Sequence, residues 1–303
     1  MSDVTKAERP SGPKRRILPD VFQRLRARVG GWYQRIAKFF WPLTDITTRF
    51  FVALAFLRSG IVKASDWEGA LILAEVEYSV SWMTPETAAV TGLAIELVAP
   101  VLFLLGIATR PAAFAMAALT IVSQIEYLPT TTNIFLVGIL IWYCISGPGP
   151  ISLDRWYFNQ ISNRTNALIR SLFAAGSWLR EQVAPYLMLA ARIWLALAML
   201  AYVDIFQPSV GFATWLPSSV FFGFPTWVAI PIAALLILGL GASVVYYLLF
   251  LSIGYFMVAT AHPNVTFYPL LFLGIYEARG AGAYSLDRAI KARRKQPEKG
   301  AIG

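Results

Sequence analysis

Apolar residues in this chain come in long runs, not in the alternating pattern of strands or the narrow stripes of soluble helices. The runs cover 46–64, 86–107, 111–128, 131–147, 185–205, 225–241, 243–260 and 265–279. Each is close to the roughly 20 residues that carry a helix across a bilayer core. The pattern predicts an all-α, polytopic membrane protein with about eight transmembrane helices. The runs are followed by an echo. Gly147-Pro-Gly-Pro-Ile-Ser-Leu-Asp-Arg155 returns as Gly280-Ala-Gly-Ala-Tyr-Ser-Leu-Asp-Arg288, so both read G-x-G-x-x-S-L-D-R. Upstream, Arg49-Phe-Phe-Val-Ala-Leu-Ala-Phe-Leu57 matches Arg192-Ile-Trp-Leu-Ala-Leu-Ala-Met-Leu200. Self-similarity of this kind predicts a tandem repeat. The even number of runs per copy makes the repeats parallel, as two four-helix bundles inserted the same way up.

The expected organisation follows. Residues 1–17 read as a disordered N-terminus and 18–41 as a cytoplasmic amphipathic helix. In that helix Val21, Leu25, Val29, Trp32 and Ile36 face one way and Arg24, Arg26, Arg28, Arg35 and Lys38 the other. Residues 46–155 form the first repeat, 156–184 a second surface helix, 185–288 the second repeat and 289–303 a basic tail. Within each repeat a tight turn joins the second and third runs, at Thr109-Arg110-Pro111 and at Gly241-Ala-Ser243. The G-x-G-x-x-S-L-D-R phrase is not a phosphate loop, since no strand precedes it and no Gly-Lys-Ser/Thr follows. Glycine ends each run, and Ser152 or Asp154 is expected to cap the helix that follows.

Composition and charge sharpen this picture. The chain is 57% hydrophobic and only 14% charged. With the N-terminus inside, 24 of its 26 Lys and Arg fall in the cytoplasm or at inner helix ends, and only Arg58 and Lys63 lie toward the outside. That asymmetry orients both termini to the cytoplasm of a bacterial-type plasma (inner) membrane. The net charge of +9 is then explained by topology and anionic lipid, without nucleic acid. The expected partners are the bilayer and redox or other membrane-protein subunits. One cysteine, Cys144, cannot form an internal disulfide or a redox pair. One histidine, His262, without clustered Cys or carboxylates gives no metal site.

These residues resemble the DoxX family of small four-span membrane proteins. The likeness rests on Arg49, then Phe56, Gly60 and Lys63, then Glu96-Leu97, Leu104-Leu-Gly106 and Thr109-Arg110. It closes on Gly147-Pro-Gly149 and Ser152-Leu-Asp154. The second repeat keeps Arg192, Gly239, Gly280, Gly282 and Asp287, but Phe206 stands opposite Lys63 and Ala229 opposite Glu96. It reads as a degenerate copy. The resemblance implies a four-helix bundle per repeat. Relatives include a subunit of thiosulfate:quinone oxidoreductase and proteins linked to oxidative-stress complexes. No cofactor ligand set is evident, and quinone or lipid is the ligand class the resemblance leaves open.

The chemistry concentrates in the first repeat. Arg49, Phe56, Gly60 and Lys63 are spaced seven, four and three apart, on one helical stripe. Glu96 lies on the order of 15 Å below the outer surface by helical rise. A charge at that depth costs about 2.5–3.5 kcal/mol on insertion scales, so it needs a cation, a proton or a wet cavity. Depth favours Arg58 as partner and the family pattern favours Lys63; the two lie about 140° apart around the helix. One reading makes the pair structural. The other makes it a site open to the outer leaflet, lined by Glu96, Lys63 or Arg58, and Gln124 or Glu126, which are two apart on opposite helix faces so that at most one points inward. Asp66, Trp67, Glu75, Glu77 and Trp82 would supply the longer first outer segment. Functionally the expectation is a non-catalytic accessory or scaffold subunit. The alternatives are a membrane subunit of a quinone-linked redox system and a small-solute carrier.

Overall fold

The computed structural model describes residues 17–76, 80–127, 129–161, 167–221, 223–260, 263–279, 282 and 284–294. The expected disorder of residues 1–16, the loop residues Glu77 and His262, the turn residue Gly280 and the tail beyond 294 lie outside them. Among the described residues the chain is helical throughout, with no strand. It divides into two units, Met1–Phe39 and Phe40–Gly303. In the first unit the described residues are helical from Ile17 onward.

The second unit holds the rest of α1 (Ile17–Ser65), then α2 (Trp67–Val76), α3 (Pro85–Leu105) and α4 (Thr109–Val122). A π turn, Ser123–Tyr127, extends α4 and precedes α5 (Thr131–Ser146). Two helices, α6 (Leu153–Ile161) and α7 (Ala167–Gln182), connect to α8 (Ala184–Tyr202). After the short α9 (Val210–Ala213) and a 3-10 turn at Ser218–Phe221 come α10 (Thr226–Leu238), α11 (Ala242–Thr260), α12 (Pro263–Arg279) and α13 (Leu286–Arg294). Two expectations change. The helix predicted over 18–41 is not separated from the first apolar run, because one helix covers Ile17–Ser65 with Pro42 inside it. The segment 156–184 carries two helices, not one, with residues 162–166 outside the described ones.

The helix ends follow local chemistry. Thr84 caps α3, its hydroxyl accepting from the Thr87 amide at 3.3 Å, with Pro85 at the first helical position. Thr130 caps α5 through the Asn133 amide at 3.2 Å. Both α3 and α10 stop at a left-handed glycine, Gly106 (φ +70°) and Gly239 (φ +65°).

The surface is the inverse of a water-soluble one. Phe50, Leu54, Val98, Val101, Phe114, Trp227, Val244 and Leu251 are exposed, whereas Arg49, Glu96 and Arg192 are buried. Outward apolar side chains around inward charges are what a lipid solvent requires. Among the described residues three helices are long and apolar enough to cross a membrane: Pro85–Leu105, Ala184–Tyr202 and Ala242–Ala259. Thr131–Ser146, Thr226–Leu238 and Phe267–Tyr276 are shorter apolar helices.

Helices from both halves share one continuous apolar core. Phe135 of α5, Trp194 of α8 and Phe272 of α12 meet edge-on with centroids 5.4–5.6 Å apart. Gly138 makes room for Phe272, whose ring would lie 2.8 Å from a Cβ there. Phe51 of α1 meets Phe267 of α12 at 4.5 Å.

The same polar clamp forms in each half. Arg49 donates to the carbonyls of Leu104 (3.1 Å) and Ile151, and Arg192 donates to the carbonyl of Tyr284. Each guanidinium lies against the glycine that ends the next long helix, Gly106 or Gly239. Ser152 and Ser285 cap α6 and α13 through the amides of Arg155 and Arg288. Of the two cap candidates, Ser152 caps α6 and Asp154 reaches elsewhere. Its carboxylate accepts from the amides of Ala108 (3.0 Å) and Thr109 (3.1 Å), at the start of α4. Asp287 accepts from Gly241 at 2.8 Å in the same way. The phrase therefore staples the end of each half to the turn between its second and third apolar helices.

The two clamps differ in one respect. Arg49 is neutralised by Asp45 at 2.7 Å, and Asp45 also accepts from the Tyr143 hydroxyl at 2.9 Å. Gly149 faces Asp45, whereas its counterpart Gly282 faces Met188. Arg192 is fully buried, and its Nε and Nη1 have no hydrogen-bond partner.

Two outcomes are expected from this difference. Gly149→Ala places a Cβ on the Asp45 carboxylate, so it should push that carboxylate off Arg49. Breaking a buried pair costs about 3–5 kcal/mol, and the thermal midpoint in detergent should fall sharply. Conversely, Met188→Asp supplies the carboxylate that Arg192 lacks and should raise the midpoint. Met188→Leu should leave it near wild type. Thermal unfolding followed by intrinsic fluorescence checks all three.

Candidate functional site

The site begins with one close helix crossing. Gly60 of α1 lies against α3 so tightly that a Cβ there would sit 2.9 Å from the Leu97 side chain and 3.0 Å from Glu96 Cβ. Small residues at such crossings let backbones approach within a membrane. The approach brings the polar stripe of α1 onto Glu96. Lys63 Nζ donates to Glu96 Oε1 at 2.7 Å, and Ser59 Oγ donates to the same oxygen at 3.1 Å. Glu96 is 6% exposed. Its second oxygen, Oε2, is buried and has no hydrogen-bond partner.

Glu96 lines two cavities. One, of about 200 Å³, has Ser59, Lys63, Gly92, Glu96 and Ser123 in its wall. Ala70 and Ala74 of α2 and Ala88 and Ala89 of α3 complete it. A second, of about 180 Å³, shares Ser59, Glu96, Leu119 and Ser123 and adds Phe56, Thr120 and Asn133. Such spaces hold several waters or one small polar molecule. The alanines and Gly92 leave the volume, and the serines make its wall polar. The lining supplies donors from Lys63, Ser59 and Ser123 and one strong acceptor from Glu96 Oε2.

Of the residues the sequence nominated, Lys63 and Glu96 are brought together. Arg58 is exposed and apart from them, because its offset around the helix outweighs its favourable depth. Gln124 is buried, but its amide is spent on a bridge. Oε1 accepts from the Thr130 amide and Nε2 donates to the Thr214 carbonyl, each at 3.0 Å. Glu126 is exposed. The π turn at Ser123–Tyr127 explains this, since the extra residue rotates Ser123 into the cavity and its neighbours away.

Asp66 and Glu75 of the segment between α1 and α3 do not line the cavity. Asp66 caps α2 through the Gly69 amide at 3.0 Å, while Glu75 and Trp82 are exposed. The segment contributes α2 itself, whose Ala70 and Ala74 form a wall. Sequence reasoning missed Ser59, Ser123 and these alanines. Ser59 was legible, since it precedes Lys63 by four residues and so shares its face.

The remaining nominated residues build the scaffold below the site. Arg49, Gly106, Gly149, Asp154, Gly282 and Asp287 belong to the two clamps. Arg110 covers Gly147 and donates to the Gly176 carbonyl at 2.7 Å, tying α7 to the α4–α5 end. Cys144 is half-buried, with Sγ 3.9 Å from the Arg110 carbonyl. Among the described residues no three His, Cys, Asp or Glu side chains come together as metal ligands.

The comparisons with known proteins agree with where the polar chemistry lies. No curated protein and no solved structure matches the chain. The DoxX family model matches residues 45–127, from Asp45 of the first clamp to the end of the π turn. Lys63, Glu96, Ser59 and Ser123 all fall within it; the Gly147–Asp154 loop and the second half fall beyond it. Residues 45–127 of this chain are a DoxX domain.

Proposed function

We propose that this protein is a multi-pass component of a bacterial-type plasma membrane with both termini cytoplasmic. In this reading it is a non-catalytic accessory or scaffold subunit that holds a small polar ligand at Glu96–Lys63. Eight helices cross the bilayer as two tandem DoxX-like repeats, the second degenerate. The matching clamps in the two halves support that reading of the chain. The observation that carries the ligand site is the unpartnered Glu96 Oε2. Its companion oxygen already accepts from Lys63 and Ser59. Glu96 also lines two cavities with polar walls, which give a small ligand room beside it.

A second reading, a membrane subunit of a quinone-linked redox system, is favoured by the donor and acceptor set. Lys63 and Ser59 can donate to a carbonyl, and Glu96 Oε2 can accept from a hydroxyl. A solute carrier is less well supported. Its halves would both carry polar midplane residues, and here the buried Ala229 stands opposite Glu96.

Two measurements test the proposal. Single cysteines at positions 75 and 212 in a Cys144→Ser background should react with an impermeant maleimide in intact cells. Those at 10, 170 and 298 should react only after lysis; labelling of this second set in intact cells contradicts the topology. For the site, tagged wild type and Glu96→Gln are purified from native membranes in mild detergent, and bound molecules and co-purifying proteins are identified by mass spectrometry. A partner protein should accompany both. A small molecule present with wild type should be lost by tenfold or more from Glu96→Gln and from the charge-free Lys63→Met/Glu96→Gln, whose thermal midpoint should stay at or above that of wild type. Wild type that carries neither partner nor small molecule defeats the accessory reading.

A further inference from the structure

A second concave surface lies farther back along α1 and at the end of α3, away from the Glu96 cavities. It is an open groove of about 690 Å³ between the clamp loop, α1 around Ile46–Arg49 and the last turn of α3. Its walls are apolar: Ile46 of α1, Leu104 and Leu105 of α3, and Ile151 and Leu153 of the loop and α6. Its rim is cationic and aromatic, with Arg155 and Trp156 both exposed. Trp156 is 61% exposed and Ile151 54%, which is costly in water and ordinary at a membrane interface.

Three observations specify the occupant. First, the ion pairs formed among the described residues are Arg49–Asp45 and Lys63–Glu96. Among the described residues, the Arg155 guanidinium carries no carboxylate. Second, Arg49 contributes to the groove, and its buried Nε has no partner. Third, the apolar floor does not end at the rim. On α1, Ile46, Phe50 and Leu54 form an exposed stripe at i, i+4 and i+8. On α3, Leu105, Val101 and Val98 form another, running the same way. Eight residues of helix span about 12 Å. The two stripes extend the exposed apolar surface along each helix away from the groove.

We propose that this groove binds one anionic phospholipid. The phosphate pairs with Arg155, the glycerol region lies against Trp156, and an acyl chain runs along the Ile46–Leu54 and Val98–Leu105 stripes. Basic pockets between membrane helices recognise anionic headgroups in this way, and guanidinium groups suit phosphate oxygens. Placement in the cytoplasmic leaflet rests on the orientation proposed above; binding itself does not. The lipid would fasten the clamp loop to α1 and α3, on the half that also holds the Glu96 site.

The test is native mass spectrometry of the full chain in mild detergent, titrated with phosphatidylglycerol or phosphatidylcholine of the same acyl chains. Wild type should take up one phosphatidylglycerol with roughly tenfold preference over phosphatidylcholine, about 1.4 kcal/mol. Arg155→Ala should lose that preference. Trp156→Ala should weaken both lipids alike. Arg288→Ala, which removes the corresponding charge from the second half, should bind phosphatidylglycerol as wild type does. Equal binding of the two lipids by wild type would overturn the proposal. So would an Arg155→Ala protein that keeps its preference, or displacement of phosphatidylglycerol by millimolar inorganic phosphate. None of these outcomes depends on the Glu96 site or on which way up the protein inserts.

Discussion

The structure depends on a buried guanidinium on the first apolar helix of each half. An arginine inside a membrane protein has no water to solvate it, and its five N–H groups demand acceptors. Arg49 takes them from Asp45 and from the carbonyls of Leu104 and Ile151. Those carbonyls belong to the end of α3 and to the loop after α5, so one side chain gathers three segments distant in sequence. The glycines follow from it. Gly106 must let the chain turn left-handed while the guanidinium and Ser152 press against it, since a Cβ would meet Ser152 at 2.5 Å. Asp154 then closes the loop onto α4. Arg192 organises the second half by the same logic, with a serine and an aspartate at the matching places of its loop.

A second buried charge serves a different end. Lys63 and Glu96 sit at a close helix crossing but gather no loop and satisfy no backbone carbonyl. A charge pair of this kind seldom stabilises a fold relative to apolar residues of similar volume. The second half illustrates this, because Ala229 packs fully buried in the place opposite Glu96. Glu96 also keeps an unused oxygen beside polar cavities. The contrast between the clamps, which are repeated and tie loops to helix ends, and the Lys63–Glu96 pair, which is single and ties down no loop, separates architecture from chemistry.

Much of the architecture was legible in the chain. The eight apolar runs fall on α1, α3, α4, α5, α8, α10, α11 and α12, because continuous apolarity and glycine or proline punctuation are local signals. The close of the loop on α4 was not legible, since nothing in the order Ser-Leu-Asp-Arg says that Asp154 reaches back to Ala108 and Thr109 rather than to its own helix. At the site, Glu96 and Lys63 could be nominated from cost and spacing. The choice against Arg58 turned on helical phase, which depth alone obscures. Of Gln124 and Glu126 one is buried and one exposed, as their spacing requires, but the buried Gln124 is spent on backbone groups, which its residue type does not announce. The alanine wall of α2 was hidden by the acids and tryptophans around it.

The distinction between the two buried charge pairs can be measured directly by thermal unfolding in detergent of two charge-deleted double variants. One is Asp45→Leu/Arg49→Met, and the other is Lys63→Met/Glu96→Gln. The clamp variant should unfold well below wild type, because Arg49 also ties down the carbonyls of Leu104 and Ile151. The site variant should unfold at or above wild type, because it removes a desolvated pair and leaves no orphaned charge. A site variant that loses as much stability as the clamp variant would show that Lys63–Glu96 is architecture too, and would contradict this account.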